Sequence, residues 1–542
     1  MSISATDAPL HPLARIGRRI GLRPGATPTQ RFCGIVVASS VVLTLFQLVI
    51  GCSPPVAALS FAIILFALAP VAVYGASNIV GLLFVFVLFY FSFLALILKS
   101  IFLQPLQTYL YAPFVSHLVA AVGVAGSAAG ALAARPFLRL DRALIPPMVR
   151  DARAVGKLAI MSLAVGLVGV VLNRGSGQVH ALSQFLYPQL YFSLVAAMAS
   201  SLIASGGRRA LSTLSVSIAL LLVVLSAAGN SKQGFVAVGL CYLASVLSFG
   251  GRIRVPTFIA ACLVGFFLSS FVFPAITNIA RQDRDRLSPV EMLERTTQAA
   301  AGLMTGDQQT QDTIDRQTAE YNRIPLGRYR VEYSRHLPLF FERFMMVPYT
   351  DAVVWKIPLN GPYFGTELIY QNLANNLPIF LYAGKQQVYS GHEILLSLGL
   401  IDPGSAGYQT MTLHAEAFYS GGLWAVFLFA AGIYLLLSFL LGRTIGPVSF
   451  SVFAVYIVVI YFHFFMSQLS NGFVFFAFRQ FPVDVVIYLV LGFWSGALKP
   501  SRARLAANPT EGGGTRRWSP RAFAGSNARQ WRWTSSTQRN RG

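Results

Sequence analysis

The chain has 542 residues, of which 55% are hydrophobic and only 11% are charged, and its formal net charge at pH 7 is +22. A mean hydropathy of +0.60 excludes an ordinary soluble domain and indicates a polytopic membrane protein. The acidic residues are concentrated, because fifteen of the twenty Asp and Glu residues lie in one polar stretch, residues 277–416. The sequence therefore predicts an all-α polytopic membrane protein in which one large loop carries most of the chemistry.

Largely uncharged runs of about 17 to 25 residues, the length that crosses a bilayer as a helix, recur along the chain. Twelve transmembrane spans are predicted: residues 33–51, 56–75, 80–98, 112–134, 158–172, 187–204, 211–229, 234–249, 257–276, 420–441, 448–466 and 483–498. They divide the chain into a basic amino-terminal segment (1–32), a membrane domain of nine spans (33–276), the large extracytoplasmic loop (277–415), a membrane domain of three spans (416–498) and a basic tail (499–542). The tail is too polar to pack a core and is predicted to be disordered.

The basic residues predict which side each loop faces. With the amino terminus inside, the inner segments hold 26 Lys and Arg residues, and the short outer loops hold four, Lys99, Arg174, Lys232 and Arg479. Because cytoplasmic loops carry the excess of Lys and Arg, both termini are predicted to be cytoplasmic and the large loop to face outward. The spans are nearly free of charge, with Asp484 at the edge of the last one. This scarcity argues against a proton-coupled transporter.

Two segments of the large loop have a predicted local structure. Ser288, Pro289 and Glu291 form a capping box with proline at the first helical position, and Gly306 is placed to end that helix. Residues 337–355 are apolar but interrupted by two prolines, which predicts an amphipathic segment on the outer leaflet.

Three short motifs lie in the loop or beside it. The first is a glycine-flanked basic turn at residues 229–234 (Gly-Asn-Ser-Lys-Gln-Gly). The second begins at residues 364–367 (Phe-Gly-Thr-Glu) and continues with Asn-Leu-Pro-Ile at 376–379 and Gly-Lys at 384–385. The third leads back into the membrane at residues 413–424 (Leu-His-Ala-Glu-Ala-Phe-Tyr-Ser-Gly-Gly-Leu-Trp). Their order around one outer loop resembles the Wzy-type oligosaccharide repeat-unit polymerases of O-antigen and exopolysaccharide synthesis. Lys232 stands where arginine is more usual in that family. The resemblance covers the layout of most of the chain.

The resemblance implies a multi-pass protein of the bacterial cytoplasmic (inner) membrane, in contact with membrane lipids and working with a flippase and a chain-length regulator. Its substrate would be an oligosaccharide carried on polyprenyl diphosphate, and a hydroxyl of one repeat unit would attack the anomeric carbon of another. The family implies transfer without metal, and the loop has no clustered ligand set such as His-x-x-x-His. No cofactor, no metal and no nucleic-acid partner are therefore expected.

Such a transfer needs cations where negative charge grows on the departing diphosphate, and a base for the acceptor hydroxyl. The predicted cations are Lys232, Arg174, Arg281, Arg343 and Lys385. The predicted base is His414, the loop histidine nearest to a span, with His392 as the alternative. Glu367 and Glu416 are predicted to orient the base or to bind sugar hydroxyls.

Three other functions stay open at this stage. A flippase or other transporter of lipid-linked oligosaccharides would line a transmembrane cavity with basic residues, whereas here the basic residues lie in predicted loops. O-antigen ligases, a related group, also keep a histidine before a loop-closing span, but the spacing from His414 to Gly422 differs from the usual ligase pattern. The third is a noncatalytic assembly partner that uses the loop as a docking surface.

Overall fold

The structure, a computed structural model, describes residues 27–138, 143–145, 151–172, 178–228, 232–251, 289–313, 316, 345–376, 390–402, 411–462 and 470–498. These residues form helices and contain no β-strand. In chain order the helices are α1 (Pro28–Val49), α2 (Pro54–Tyr74), α3 (Ile79–Ile101), α4 (Pro113–Ala134), α5 (Ala152–Leu172), α6 (Gln178–Leu186), α7 (Gln189–Ala204), α8 (Thr213–Ala228), α9 (Lys232–Ser248), α10 (Pro289–Thr305), α11 (Val347–Val354), α12 (Glu367–Asn376), α13 (Ser390–Ser397), α14 (Leu413–Thr444), α15 (Val452–Ile457) and α16 (Ser470–Ser495).

Eight helices are long and apolar enough to cross a membrane, with α6 and α7 counted together as Leu182–Ala204, and two shorter apolar helices, α8 and α9, accompany them. The all-α membrane class is therefore confirmed. Each of these ten segments overlaps a predicted span. The predicted span 448–466 is described as far as Phe462, through α15 and the π-helical turn Val458–Phe462. The predicted span 257–276 lies outside the described residues.

The last membrane helix begins well before its predicted start. α16 runs from Ser470, whereas hydropathy predicted residues 483–498, and it contains a π-helical turn at Phe476–Gln480. Arg479, predicted in an outer loop, therefore lies within this helix. Asp484, predicted at the edge of the last span, lies fourteen residues after the helix start, which is about 20 Å along a helix that rises 1.5 Å per residue. Both of those placements were wrong.

The most extensive helix contact in the described chain joins α4 to α14. Gly126 and Gly130 of α4 face the backbone carbonyls of Phe427 and Ala431, and a Cβ atom at either glycine would collide with them. Glycines four residues apart share one helix face and allow two membrane helices to approach closely. The matched order of these contacts shows that the two helices run in the same direction.

Polar contacts join several helix ends on one side of the bundle. Gln47 near the end of α1 donates from Nε2 to Ser100 Oγ near the end of α3, at 3.0 Å. Asp351 of α11 accepts from the backbone N–H groups of Tyr111 and Ala112, directly before α4. We use the name loop helices for α10 to α13, which lie within the predicted loop, residues 277–415. These ends and α11 define what we call the loop side.

Other contacts define the opposite side. The Ala76 backbone N–H donates to Thr29 Oγ1 near the start of α1, at 3.2 Å, and the Leu144 N–H donates to the Arg443 carbonyl near the end of α14, at 3.0 Å. The start of α1 therefore lies across the bundle from α11, as the predicted alternation requires. The assignment of that side to the cytoplasm stays a prediction.

Two features predicted at the surface are buried. Lys99, predicted in an outer loop, is fully buried in the last turn of α3, where its Nζ donates to Gln104 Oε1 at 3.0 Å and lies 5.7 Å from the centre of the Tyr109 ring. A buried ammonium group needs such polar partners. All eight residues of α11 are also buried, because this helix packs between α4 and α14. The prediction that residues 337–355 lie on the leaflet surface is therefore wrong for residues 347–354.

The predicted bounds of the first loop helix are confirmed. α10 begins at Pro289 and ends at Thr305, and the next residue, Gly306, has a φ of +71°. Glycine adopts this left-handed conformation readily, which explains why the helix ends there. Ser288 lies outside the described residues, so its capping role stays a prediction.

Candidate functional site at the loop side

α14 consists of a short first part and a long membrane span. Gly421 and Gly422 have non-helical backbone angles, and Gly422 has a φ of +69°, so they separate residues 413–420 from the rest of the helix. We call residues 413–420 the re-entry segment. All eight of its residues are buried. Its helix is capped by Thr412, whose Oγ1 accepts from the Ala415 N–H at 3.1 Å, as is usual for threonine at a helix start.

The re-entry segment begins deep in the bundle. The His414 ring packs directly on Gly123, where a Cβ atom would overlap the imidazole, and its centroid lies 4.6 Å from that of Phe91. Gly123 is ten residues into α4, about 15 Å from the start of that helix. His414 is 2% exposed, and its Nδ1 has no hydrogen-bond partner among the described residues. The predicted base is therefore enclosed between α3 and α4.

Glu416 holds three separate parts of the chain together. Its carboxylate is fully buried; Oε1 accepts from Asn372 Nδ2 at 2.8 Å and from Ser470 Oγ at 2.9 Å, and Oε2 accepts from the Ser470 backbone N–H at 2.7 Å. These neutral donors supply the hydrogen bonds that a buried carboxylate requires. The contacts join loop helix α12 and the start of α16 to the re-entry segment.

The two motifs that carry the family resemblance in and after the loop touch each other. The backbone N–H groups of Phe364 and Gly365 donate to the carbonyls of Tyr419 and Ser420, at 3.0 and 3.1 Å. These carbonyls are available because the glycine kink interrupts the helical hydrogen bonds after them. The rings of Phe364 and Tyr419 also stack, with centroids 4.4 Å apart and planes within 4°. Residues 364–365 and the re-entry segment therefore form one structural unit.

Loop helix α13 reaches the same unit. Ser397 Oγ and the Tyr419 hydroxyl lie 3.0 Å apart, within hydrogen-bond distance, and Ile394 packs in one hydrophobic cluster with Phe418. His392 lies in the first turn of α13 and is half-buried. It is the more accessible of the two predicted histidine bases.

Loop helix α11 is attached through a buried carboxylate that the sequence analysis did not single out. Asp351 Oδ2 accepts from the Tyr111 N–H at 2.8 Å, and Oδ1 accepts from the Ala112 N–H at 2.9 Å. A negative charge is stabilised at this position because it faces the amino terminus of α4. Thr350 Oγ1 lies 3.1 Å from Thr412 Oγ1, beside the cap of the re-entry segment. The sequence feature that could have indicated this role is an acidic residue within an apolar run.

Five of the nine predicted site residues lie in described helices, and four lie outside the described residues. His414 and Glu416 lie on the re-entry segment, His392 lies on α13, and Glu367 is the exposed first residue of α12. Lys232 is the first residue of α9, and its side chain is not among the described ones. The other four predicted cations, Arg174, Arg281, Arg343 and Lys385, lie outside the described residues, so their convergence on this site stays a prediction.

Within the described ranges, no group of three or more His, Cys, Asp or Glu side chains is placed to hold a metal ion. Comparison of the chain with protein-family models, with curated proteins and with solved structures gives no match. The class defined by the fold and the site is a multi-pass α-helical membrane protein in which described loop helices are attached to a buried re-entry segment.

Proposed function

We propose that this protein joins oligosaccharide repeat units carried on polyprenyl diphosphate into a surface polysaccharide or exopolysaccharide. The observation that carries the proposal is the pairing of residues 364–365 with residues 419–420, because it unites two motifs that resemble the repeat-unit polymerases. This unit lies where the loop helices meet the membrane helices. A substrate whose lipid stays in the bilayer would present its sugars beside the membrane helices.

In the proposed reaction, an acceptor hydroxyl oxygen forms a bond to the anomeric carbon of the donor sugar. The bond from that carbon to the diphosphate oxygen breaks, polyprenyl diphosphate leaves with the electron pair, and the hydroxyl proton passes to a base. A base must come within hydrogen-bond reach of that proton. We assign this role to half-buried His392 and a packing role to His414, which is enclosed by Phe91 and Gly123. The assignment reverses the order predicted from the sequence.

The remaining roles follow from exposure and contacts. Exposed Glu367 is assigned to sugar hydroxyls, and Glu416, whose oxygens are occupied by Asn372 and Ser470, is assigned to holding α12 in place. Cations at the departing diphosphate would each contribute roughly 3 to 4 kcal/mol to the transition state. The proposed cations are Lys232, Arg174, Arg281, Arg343 and Lys385. The proposed setting is the bacterial inner membrane, with both termini cytoplasmic and with a flippase supplying the substrate.

Full-length protein in lipid nanodiscs, supplied with lipid-linked repeat units, tests the proposal by the ladder of polymer lengths on a gel. His392→Gln is expected to slow joining by about 100- to 10,000-fold, while His414→Gln keeps a substantial rate. Glu393→Gln, which changes the exposed neighbour of His392, is the matched control and is expected to be fully active. An inactive His414 variant beside an active His392 variant would return the base to His414. Absence of polymer from the wild-type protein would contradict the polymerase itself.

A transporter of lipid-linked oligosaccharides is the second candidate, and the observation that favours it is buried charge. Lys99 and Asp484 are buried within membrane helices, and such residues often mark a substrate or ion path. In proteoliposomes, a transporter would move the labelled lipid-linked unit between leaflets without changing its mass. A ligase-like transferase would instead release a product in which the oligosaccharide is attached to a different acceptor.

A further inference from the structure

A third buried carboxylate, after Glu416 and Asp351, lies far from the loop side. Asp484 is 1% exposed and lies about 20 Å along α16 from Ser470. Among the described residues, three groups donate to its Oδ1: Gln189 Nε2 at 2.9 Å, the Tyr456 hydroxyl at 3.2 Å and Gln480 Nε2 at 3.2 Å. The three donors are neutral and come from three different parts of the membrane domain.

A further hydroxyl in this region lacks a partner. Tyr488, one helical turn after Asp484, is 1% exposed, and its hydroxyl has no hydrogen-bond partner among the described residues. Its ring contacts Phe192 and Phe453, at centroid distances of 5.7 and 4.8 Å, and the Tyr456 ring contacts the same two, at 5.3 and 6.2 Å. The two tyrosines are thus close neighbours in an aromatic enclosure. A buried hydroxyl without a partner is costly, and a bound ligand would supply one.

Two π-helical turns flank the Asp484 region. One, Phe476–Gln480, ends four residues before Asp484, and the other, Val458–Phe462, begins two residues after Tyr456. A π-turn departs from regular helical hydrogen bonding and often occurs at a functional site. In membrane proteins, ion sites near the bilayer midplane are commonly built where helices are interrupted.

We propose that Asp484, Gln189, Gln480, Tyr456 and Tyr488 form a binding site for a sodium ion. The carboxylate supplies the negative charge, and the amides and phenols supply the neutral oxygens that a hard cation prefers. A glutamine amide carries two N–H donors and one acceptor oxygen. Rotation of each amide by half a turn therefore replaces the N–H that now faces Asp484 with an oxygen that faces an ion. The inference does not depend on the proposed function.

The test uses thermal unfolding of the full-length protein in detergent at constant pH. Sodium chloride is exchanged for choline chloride at constant ionic strength, and sodium is expected to raise the unfolding temperature in a saturable manner, by about 2 °C or more. Asp484→Asn is expected to lose the sodium response. Asp351→Asn, which changes another fully buried carboxylate outside the cluster, is the control and is expected to keep it.

Tyr488→Phe provides a second test that does not require the Asp484 variant to fold. Loss of the unpartnered hydroxyl should leave the unfolding temperature in choline chloride unchanged or higher. It should raise the sodium concentration for a half-maximal response about tenfold, because one ligand oxygen is lost. Equal unfolding temperatures of the wild type in the two salts would overturn the proposal. If the unfolding temperature then changes with pH and not with sodium, Asp484 binds a proton instead of an ion. Retention of the full wild-type response by Tyr488→Phe would also overturn it.

Discussion

Glu416 and Asp484 are both buried carboxylates that accept three hydrogen bonds, but their donors differ in kind. One donor to Glu416 is the backbone N–H of Ser470, which the start of α16 fixes in place. The donors to Asp484 among the described residues are side-chain groups, on Gln189, Tyr456 and Gln480. Side chains can rotate to face a different partner, whereas a backbone N–H cannot. We therefore infer that the Glu416 cluster holds one geometry and that the Asp484 cluster accommodates two.

Their positions agree with this division. Glu416 joins residues 44 and 54 positions away, where the loop helices meet the membrane helices. The described partners of Asp484 lie in the membrane domain. Between membrane helices there is little hydrophobic driving force, so close packing at small residues and polar contacts determine how the helices associate. The same chemical group thus attaches the loop in one cluster and provides an adaptable polar centre in the other.

The largest effect is expected for Glu416→Gln. The new NH2 group faces at least one of the donors on Ser470 or Asn372, so a buried donor loses its acceptor. We expect a loss of about 2 to 4 kcal/mol in the free energy of unfolding, measured by thermal unfolding in detergent. Glu367→Gln, which changes an exposed carboxylate on a loop helix, should have little effect. A Glu416 variant as stable as the wild type would remove the distinction between the two clusters.

Gly422→Ala tests whether the kink keeps the Glu416 side of the molecule in one geometry. With a φ of +69° and a ψ of −157°, Gly422 has a backbone conformation that essentially only glycine adopts and that costs an ordinary residue about 1 to 3 kcal/mol. An alanine Cβ would also collide with the Tyr363 ring. We expect a fall in unfolding temperature equivalent to about 2 kcal/mol, together with loss of the proposed joining of repeat units. Gly432→Ala, in the same helix with open space around the new methyl group, is the matched control. Equal behaviour of the two variants would show that the kink carries no strain.

Hydropathy predicted most of the membrane domain because a spanning helix needs a long apolar run in which all backbone groups are paired. It misplaced the start of α16 because Arg479 interrupts the apolar pattern. In the structure this guanidinium lies 5.5 Å from the centre of the Phe475 ring, a contact that stabilises a cation on an apolar helix. The burial of Lys99 was missed for a related reason. Its partners Gln104 and Tyr109 do not show in the hydropathy averaged along a stretch of sequence.

The site was predicted only in part. The motifs at residues 364–367 and 413–424 were recognised separately, and nothing in the sequence indicated that Phe364 would pair with Tyr419. Asn372 and Ser470, the partners of Glu416, lie in segments without a shared pattern. Contacts of this kind depend on how the helices pack in three dimensions. Periodicity and motif spacing along the sequence therefore predict that Glu416 is important, but they do not predict which groups donate to it.

Asp351→Asn asks whether backbone donors, and not burial alone, make a carboxylate hard to replace. Asp351 uses both oxygens to accept from the backbone N–H groups of Tyr111 and Ala112, and asparagine offers one acceptor for these two donors. The charge that faces the start of α4 is lost as well. We expect a destabilisation of about 1 to 2 kcal/mol, measured as for Glu416. Asp402→Asn, at an exposed position, is the control and should be neutral. If Asp351→Asn is as stable as the wild type, backbone donors do not determine how well a buried carboxylate can be replaced.

The smallest effect is expected for Asp484→Asn in choline chloride. Asparagine keeps an oxygen at the position that accepts from Gln189, Tyr456 and Gln480, and these side chains can turn away from the new NH2 group. We expect a change of about 1 kcal/mol or less in the free energy of unfolding. Asp484→Leu, which removes every acceptor, should be destabilised by several times that amount, since three buried donors would then lose their partner. If, without sodium, Asp484→Asn lowers the free energy of unfolding as much as Glu416→Gln does, the Asp484 cluster is rigid. Its side-chain donors then give it no second arrangement. A mild asparagine variant beside a severe leucine variant would show instead that the cluster requires an acceptor but not a charge, and the charge would then be needed only when the ion binds.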